Sequence, residues 1–203
     1  MDEYGCTARL YDPIVGPALR PIHTAIVDAL LLAKVDCMVD LCCGTGMLAG
    51  IAASSGINTT GVDISRTMLD VARKKRPNAT FIHGDATNLS FPDNTFNAAT
   101  ISFALHEKPQ VLGVAIVTEA RRVVRPGGCL IIADYLAPPA DSAVWTGWII
   151  RLVERIAGKE HHQLFHEYMA AGCMNEFFRH IGINGRLIRN NLNGWAGIYR
   201  VEC

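Results

Sequence analysis

The sequence predicts an α/β protein, a Rossmann-like doubly wound sheet with helices on both faces. Three observations carry that expectation. Short apolar runs suited to buried strands alternate with amphipathic stretches at helical period. The first such run leads directly into a glycine-rich turn, Cys43-Gly44-Thr45-Gly46, that opens a helix. Near the C-terminus, two strand-like runs flank Asn193-Gly194, a hairpin signal.

The elements follow in order. Cys37–Cys42 is an apolar run closed by glycines, as a buried strand is. Gly46–Ser55 continues as a short helix that Gly56 stops. Ile57–Val62 is a second strand. Ser65 caps the next helix, whose apolar face holds Met68, Leu69 and Ala72. Arg73-Lys74-Lys75-Arg76-Pro77 ends it: cations in a last turn offset the helix dipole, and proline stops the helix. This charge run reads as a solvated helix end. Ala79–His83 and Asn97–Phe103 are strands three and four. Glu107–Val124 is a helix with Leu112, Ile116, Ala120 and Val123 on one face, Pro126-Gly127-Gly128 a turn, and Gly128–Asp134 the fifth strand. Beyond it the pattern changes. Ser142–Ile156 sets Trp145, Trp148, Ile149, Leu152, Val153 and Ile156 at helical spacing, predicting one amphipathic helix. Glu160–Ile181 is helical with a break near Gly172, and Ile183–Asn190 and Trp195–Cys203 form the hairpin.

Composition narrows the function. At 203 residues the chain suits one domain with a core large enough to need no disulfide or metal. Nineteen Lys+Arg balance nineteen Asp+Glu, which argues against a nucleic-acid partner. The acidic, polar N-terminus is unlike a signal peptide. The longest uncharged stretch, Leu41 to Val62, holds five glycines and makes a poor membrane span. Seven cysteines without CxxC spacing indicate a reduced, cytoplasmic protein, with no disulfide framework and no zinc site.

The candidate ligand site lies at the ends of the first three strands. In Val39-Asp40-Leu41-Cys42-Cys43-Gly44-Thr45-Gly46, the glycines let the backbone approach a ligand beside the first strand of an open parallel sheet. Gly44-x-Gly46-x-x-Ala49 also satisfies a dinucleotide fingerprint, so the loop alone leaves an NAD-dependent oxidoreductase open. Asp63, at the tip of strand two, is placed to accept from both ribose hydroxyls of an adenosine, or to cap the following helix. Asp85, after Gly84 at the end of strand three, is placed to meet an adenine amine with the Ala86 amide beside it, or to serve as a turn residue.

In that order, VDLCCGTG at 39–46, GVDIS at 61–65, the GDATNLSFPDNTF run from Gly84 and the EARRVVRPGG run from Glu119 resemble the class I S-adenosylmethionine-dependent methyltransferases, in particular their quinone-biosynthesis members. The resemblance spans about Tyr11 to Tyr135. It implies a seven-stranded sheet whose last strand is antiparallel. It also implies a single domain over 1–203, with an N-terminal helical cap at 1–35, a cofactor-binding core at 36–135, a helical lid at 138–182 and C-terminal strands at 183–203. The implied cofactor is S-adenosyl-L-methionine, leaving as S-adenosyl-L-homocysteine. Asp40, Cys42, Gly44 and Gly46 would line its methionine part, with Tyr11 closing over that end. Asp63 would hold the ribose, Ile64 and Met68 would flank the adenosine, Asp85 and Ala86 would meet the adenine, and Phe103 and Ala104 would lie near the sulfonium. Cys42 departs from the family pattern, where glycine is common.

Methyl transfer is an in-line displacement that needs alignment first and a base only when the acceptor has a proton to lose. His106 is the first candidate base, with Glu107 orienting it, and His161 and Tyr168 are further catalytic candidates from the lid. His162 and His166 share a helical face, yet no third metal ligand is spaced with them. The Asn/Asp-Pro-Pro-Tyr/Phe tetrad of many DNA and glutamine N-methyltransferases is absent, which favours a small, apolar or aromatic acceptor. The Trp145/Trp148 stripe suits core packing, a substrate wall or peripheral membrane contact. A noncatalytic S-adenosylmethionine-binding module is the alternative of a different class. Oligomeric state is not legible.

Overall fold

The computed structural model describes residues 8–137 and 144–203. In chain order the elements are α1 (Ala8–Leu32), β1 (Cys37–Leu41), α2 (Met47–Ser54), β2 (Asn58–Asp63), α3 (Arg66–Lys75), β3 (Thr80–His83), β4 (Phe96–Ser102), α4 (Gln110–Val123), β5 (Val124–Tyr135), α5 (Val144–Ala157), α6 (Lys159–Ala170), α7 (Cys173–His180), β6 (Arg186–Asn191) and β7 (Ala196–Glu202). The strands form one seven-stranded sheet in the order β3-β2-β1-β4-β5-β7-β6. The expected Rossmann-like topology is therefore present. Three helices stand between β5 and the C-terminal hairpin; the expected starts at Pro138 and Ser142 lie outside the described residues.

The chain clusters into two compact units: Met1–Ile101 with Ala115–Ile131 and Glu202–Cys203, and Ser102–Val114 with Ile132–Val201. In the first, β1 pairs parallel with β2 and β4, and β2 with β3, so Leu41 stands opposite Val62 and Ile101, and Asp63 opposite His83. Parallel pairing in this register brings the carboxyl ends of four strands to one edge. Ser65 caps α3 as expected, its hydroxyl accepting from the Met68 amide. α1 packs against α2 and α3 and buries Ile22, Ile26 and Leu30. Its prolines, Pro13, Pro17 and Pro21, recur every fourth residue on the exposed side, where water satisfies the carbonyls they leave unbonded. Residues 11–32 are long and apolar enough, by length and composition, to cross a membrane.

In the second unit, β6 and β7 pair antiparallel with a register shift between Leu187 and Arg189. The turn between them is a short 3-10 segment, Leu192–Gly194, with left-handed φ at Leu192, Asn193 and Gly194. Along β5, Gly127 donates to Cys203 O and Leu136 donates to Trp195 O, so β7 runs antiparallel to it.

Two expectations change, and a third point that the sequence left open is narrowed. α4 begins at Gln110, not Glu107, because Pro109 disfavours helical backbone at the residue before it. Pro126-Gly127-Gly128 does not turn ahead of β5 but lies within its extended run, with φ +80° at Gly127. The stripe on α5 faces outward: Trp148 is 69%, Ile149 63% and Leu152 58% exposed, while Gly147, Ile150 and Glu154 are buried. The side chains of Trp145, Val153 and Ile156 lie outside the described ones. The reason is at Gly147, where a side chain would run into the Trp195 ring: the inner face is chosen by close packing.

Candidate functional site

The glycine loop leaves β1 through Cys42, whose φ is +55°, a left-handed conformation that costs a non-glycine residue energy. This is the position at which the sequence departs from the family's glycine. Gly44 and Gly46 are also left-handed, at φ +54° and +72°. Their surroundings differ. A Cβ at Gly46 would lie 2.5 Å from the Phe81 ring, whereas nothing lies within 4 Å of one at Gly44. Gly46 thus allows close packing, and Gly44 opens onto space that a ligand can enter.

Two carboxylates back the loop. Asp63 accepts the Gly44 amide at 2.7 Å and the Ser65 amide at 2.8 Å. It therefore serves helix entry, as one of its two readings held, and also fixes the loop. Asp40 is buried and takes the Thr100 hydroxyl at 2.7 Å. Burial pushes its pKa up to about 7, with the charge of Asp63 adding to the rise and the Thr100 bond opposing it. Cys43 packs against Ala49, Leu69, Ala72 and Phe81, and burial lifts its thiol well above the usual range, so it is an inert core residue.

At the next strand ends, Ile64 is 68% exposed and Met68 is buried. Asp85 is a turn residue, its Oδ1 accepting the amide and hydroxyl of Thr87 at 2.8 Å each. It also lines a cavity of about 160 Å³ with Val62, Ile82, Gly84 and Phe91. Ala86 is buried behind it.

Tyr11 lies on α1, half-buried. Its neighbour Asp12 is one residue that sequence reasoning missed. Asp12 accepts the Thr45 hydroxyl of the glycine loop at 2.5 Å and pairs with Lys75 at 3.0 Å and Arg76 at 2.7 Å. Burial works against its charge, but the Thr45, Lys75 and Arg76 contacts hold its pKa low. The end of α3 is therefore an anchor for α1 and the loop, not merely a solvated terminus.

The second unit gathers a buried polar cluster. Phe103 turns out of β4 with φ +50°, its amide donating to Ala133 O. Ala104 is buried beside it in sequence. The Asp134 carboxylate accepts the Leu105 and Tyr135 amides and His106 Nδ1–H, the last at 2.8 Å. His106 Nε2 faces Glu154 Oε2 at 3.5 Å, and His161 Nε2 lies 2.5 Å from the same oxygen. His161 Nδ1 reaches Glu107 at 3.2 Å, and Glu107 pairs with Lys108. Tyr135 donates its hydroxyl to Glu154 Oε1 at 2.7 Å, and Tyr168 donates to Tyr135 O. His106 packs edge-on to Tyr135, Phe165 and Tyr168.

Sequence reasoning named His106, His161, Tyr168 and Glu107, and the fold brings all four together. It missed Asp134 and Glu154. Each is a lone carboxylate in an apolar run, LIIADY and IIRLVERI, and that isolation was the available signal. Burial opposes charge on His106, but Asp134 and Glu154 outweigh it and raise its pKa to about 10. Both ring nitrogens face carboxylates, so His106 is a donor at neutral pH and not the proton acceptor expected of it. Burial likewise opposes charge on Glu154, yet His106 and His161 hold it below the usual carboxylate range. Burial drives the Tyr168 hydroxyl well above its usual pKa, so it stays protonated. His162 and His166 meet edge to face, ring centroids 4.4 Å apart. Among the described residues, His106, Glu154 and His161 are the group whose donor atoms converge as a metal would require.

Residues 38–128 match the model of the methyltransferase domain family. The chain is 38% identical over 136 residues to the demethylmenaquinone methyltransferase of Paenarthrobacter aurescens, covering 66% of this chain and 53% of that protein. It is 32% identical over 142 residues to an uncharacterised methyltransferase of Synechocystis sp., covering 70% and 66%. The chain spans about half the length of the demethylmenaquinone methyltransferases it matches. A solved structure from Methanococcus maripaludis, assigned to the S-adenosyl-L-methionine-dependent methyltransferases, shares the fold with a TM-score of 0.67 at 17% identity, over 99% of this chain and 93% of that one. Sheet order, glycine loop and acidic strand ends agree with these matches, which support a class I S-adenosylmethionine-dependent methyltransferase similar to the quinone-biosynthesis members.

Proposed function

We propose that the chain transfers a methyl group from S-adenosyl-L-methionine to a small, apolar or aromatic acceptor of quinone-like type. The observation that carries this is the Gly44 loop, open at its Cα and held by Asp63, within a chain that matches demethylmenaquinone methyltransferases. Bound S-adenosyl-L-methionine supplies an electrophilic methyl group on a sulfonium and leaves as S-adenosyl-L-homocysteine.

The residues divide into two tasks. Tyr11, Asp40, Cys42, Gly44 and Gly46 hold the methionine part. Asp63 takes the ribose, using the lone pairs its amide bonds leave over. Ile64 and Met68 cover the adenosine, Asp85 and Ala86 meet the adenine, and Phe103 and Ala104 serve the sulfonium end. On the acceptor side, His161, Tyr168 and Glu154 orient the substrate. Glu154, which His106 and His161 hold below the usual carboxylate range, is too weak a base to take a proton and serves to fix those two rings. α5 to α7 act as the lid over the acceptor, and the outward Trp148, Ile149 and Leu152 rest on a membrane surface from the cytoplasmic side while it is loaded.

The test is binding followed by turnover. S-adenosyl-L-homocysteine raises the melting temperature and NADH does not, and labelled methyl passes to a demethylated quinol. Stabilisation by NADH alone would return the loop to an oxidoreductase. Tight S-adenosyl-L-homocysteine binding without transfer to a broad acceptor panel would leave the noncatalytic module.

A further inference from the structure

We infer that His106, Glu154 and His161 form a site for one divalent transition metal ion of the zinc type, with Asp134 and Glu107 orienting the two imidazoles. One donor atom from each of the three lies within 4.8 Å of the others. A common centre with bonds of ~2.0–2.2 Å fits that span. The His106 Nε2 to Glu154 Oε2 separation of 3.5 Å already matches two neighbouring ligands of a tetrahedral ion. His161 Nε2 has only to move outward from its contact with the same oxygen.

The surroundings are those a metal ligand set requires. Each imidazole turns Nδ1 to a carboxylate, His106 to Asp134 at 2.8 Å and His161 to Glu107 at 3.2 Å. A carboxylate only accepts, so each Nδ1 keeps its hydrogen, and a bound ion takes the place of the proton that each Nε2 otherwise shares with Glu154. Tyr135 occupies Oε1 of Glu154, which turns Oε2 to the two rings. Charge agrees: Asp134, Glu107 and Glu154 against Lys108 leave two negative charges, which one divalent ion with neutral imidazoles cancels. Two nitrogens and one oxygen select zinc-like ions over magnesium or calcium, which take oxygen. Three protein donors leave a position for water or for an oxygen or sulfur of a small acceptor. The same distances also suit two rings hydrogen-bonded to Glu154 with no metal, and the experiment separates the two.

The full chain, stripped with chelator and without any S-adenosyl compound, is titrated with Zn²⁺ by calorimetry and with Co²⁺ by visible absorption. The expected result is one ion per chain with the intense visible bands of a low-coordinate cobalt site. Asp134→Asn lowers affinity ~10–100-fold, the scale on which groups that orient ligands act. Glu154→Gln and His161→Ala lower it further. The double change His162→Ala with His166→Ala leaves it unchanged. Melting curves without metal show that each variant is folded, and Glu154→Gln preserves shape if His161→Ala does not fold. Absence of stoichiometric binding overturns the site and leaves a metal-free hydrogen-bonded network. Binding that survives Glu154→Gln and His161→Ala, or that falls with the His162/His166 pair, overturns it equally. S-adenosyl-L-homocysteine binding is scored separately, so failure here does not touch the methyltransferase reading.

Discussion

Asp63 and Gly44, nineteen positions apart, are joined by a 2.7 Å bond from the Gly44 amide to Oδ2, while Oδ1 takes the Ser65 amide. The side chain proposed to hold ribose is thus also the one that sets the loop against β2. Hydrogen bonds to a charged group contribute about 1.5–3 kcal/mol each. Asp63→Ala therefore lowers S-adenosyl-L-homocysteine affinity by about 10–100-fold, and it lowers thermal stability in the absence of ligand. Asp63→Asn keeps one accepting oxygen and falls between. Calorimetry beside melting curves checks both. Unchanged affinity in Asp63→Ala would remove the ribose assignment.

Cys42 is a strained residue at a position where its family favours glycine. Its φ of +55° costs an L-residue roughly 1–2 kcal/mol. Glycine relieves this but gains freedom in the unfolded chain, worth about 0.4–1 kcal/mol against it. Cys42→Gly is expected to raise the melting temperature by about 2–4 °C. Cys42→Val adds branching at Cβ to the same backbone and lowers it. A stabilising Cys42→Val would show that the left-handed turn is not held here.

The features most legible in the sequence share a cause. Gly44, Gly46, Ser65 and Asn193-Gly194 act through backbone conformation, which is local, so a few neighbouring residues disclose it. Asp12, Asp134 and Glu154 act across 33, 28 and 7 or more positions, and their partners emerge only when strands and helices are set side by side. The inward face of α5 stayed open for a related reason. Apolar periodicity shows where a stripe is, but which side turns inward depended on Gly147 giving room to Trp195. His161 stood out because it sits among polar neighbours in the sequence, whereas its partner Glu154 did not show.

His23 and Asp40 set opposite pH dependences. Burial lowers the His23 pKa to about 4, against the pull of Asp12. Between about 4 and 6.5 the unfolded chain binds that proton and the folded chain does not, so this term makes stability fall as pH falls. At about 1.4 kcal/mol per pKa unit its ceiling is about 3 kcal/mol. Burial raises the Asp40 pKa to about 7. From about pH 4 to 7 the folded chain keeps a proton that the unfolded chain has lost, so this term makes stability fall as pH rises, by at most about 4 kcal/mol. The two largely cancel. His23→Leu should lose stability relative to the parent as pH rises from 4 to 6.5 while gaining at the acid end. Asp40→Asn, which keeps an oxygen for Thr100, should gain steadily up to pH 7 and then run parallel. Urea midpoints across pH 4–8 read the differences, and curves that stay parallel throughout would contradict both burial assignments.

Gly44 and Gly46 separate ligand space from packing. Both are left-handed, so alanine costs each a similar roughly 1–2 kcal/mol of strain. At Gly46 the new methyl also drives into Phe81 and meets Ala72 at 3.1 Å, an overpacking that adds about 1–3 kcal/mol. At Gly44 it meets no protein atom within 4 Å. Gly46→Ala is therefore the less stable variant. Gly44→Ala is the one whose S-adenosyl-L-homocysteine affinity falls out of proportion to its stability, because its methyl enters the space the cofactor would occupy. Gly44→Ala binding at parental strength would place the cofactor elsewhere than over this loop, whatever its effect on melting.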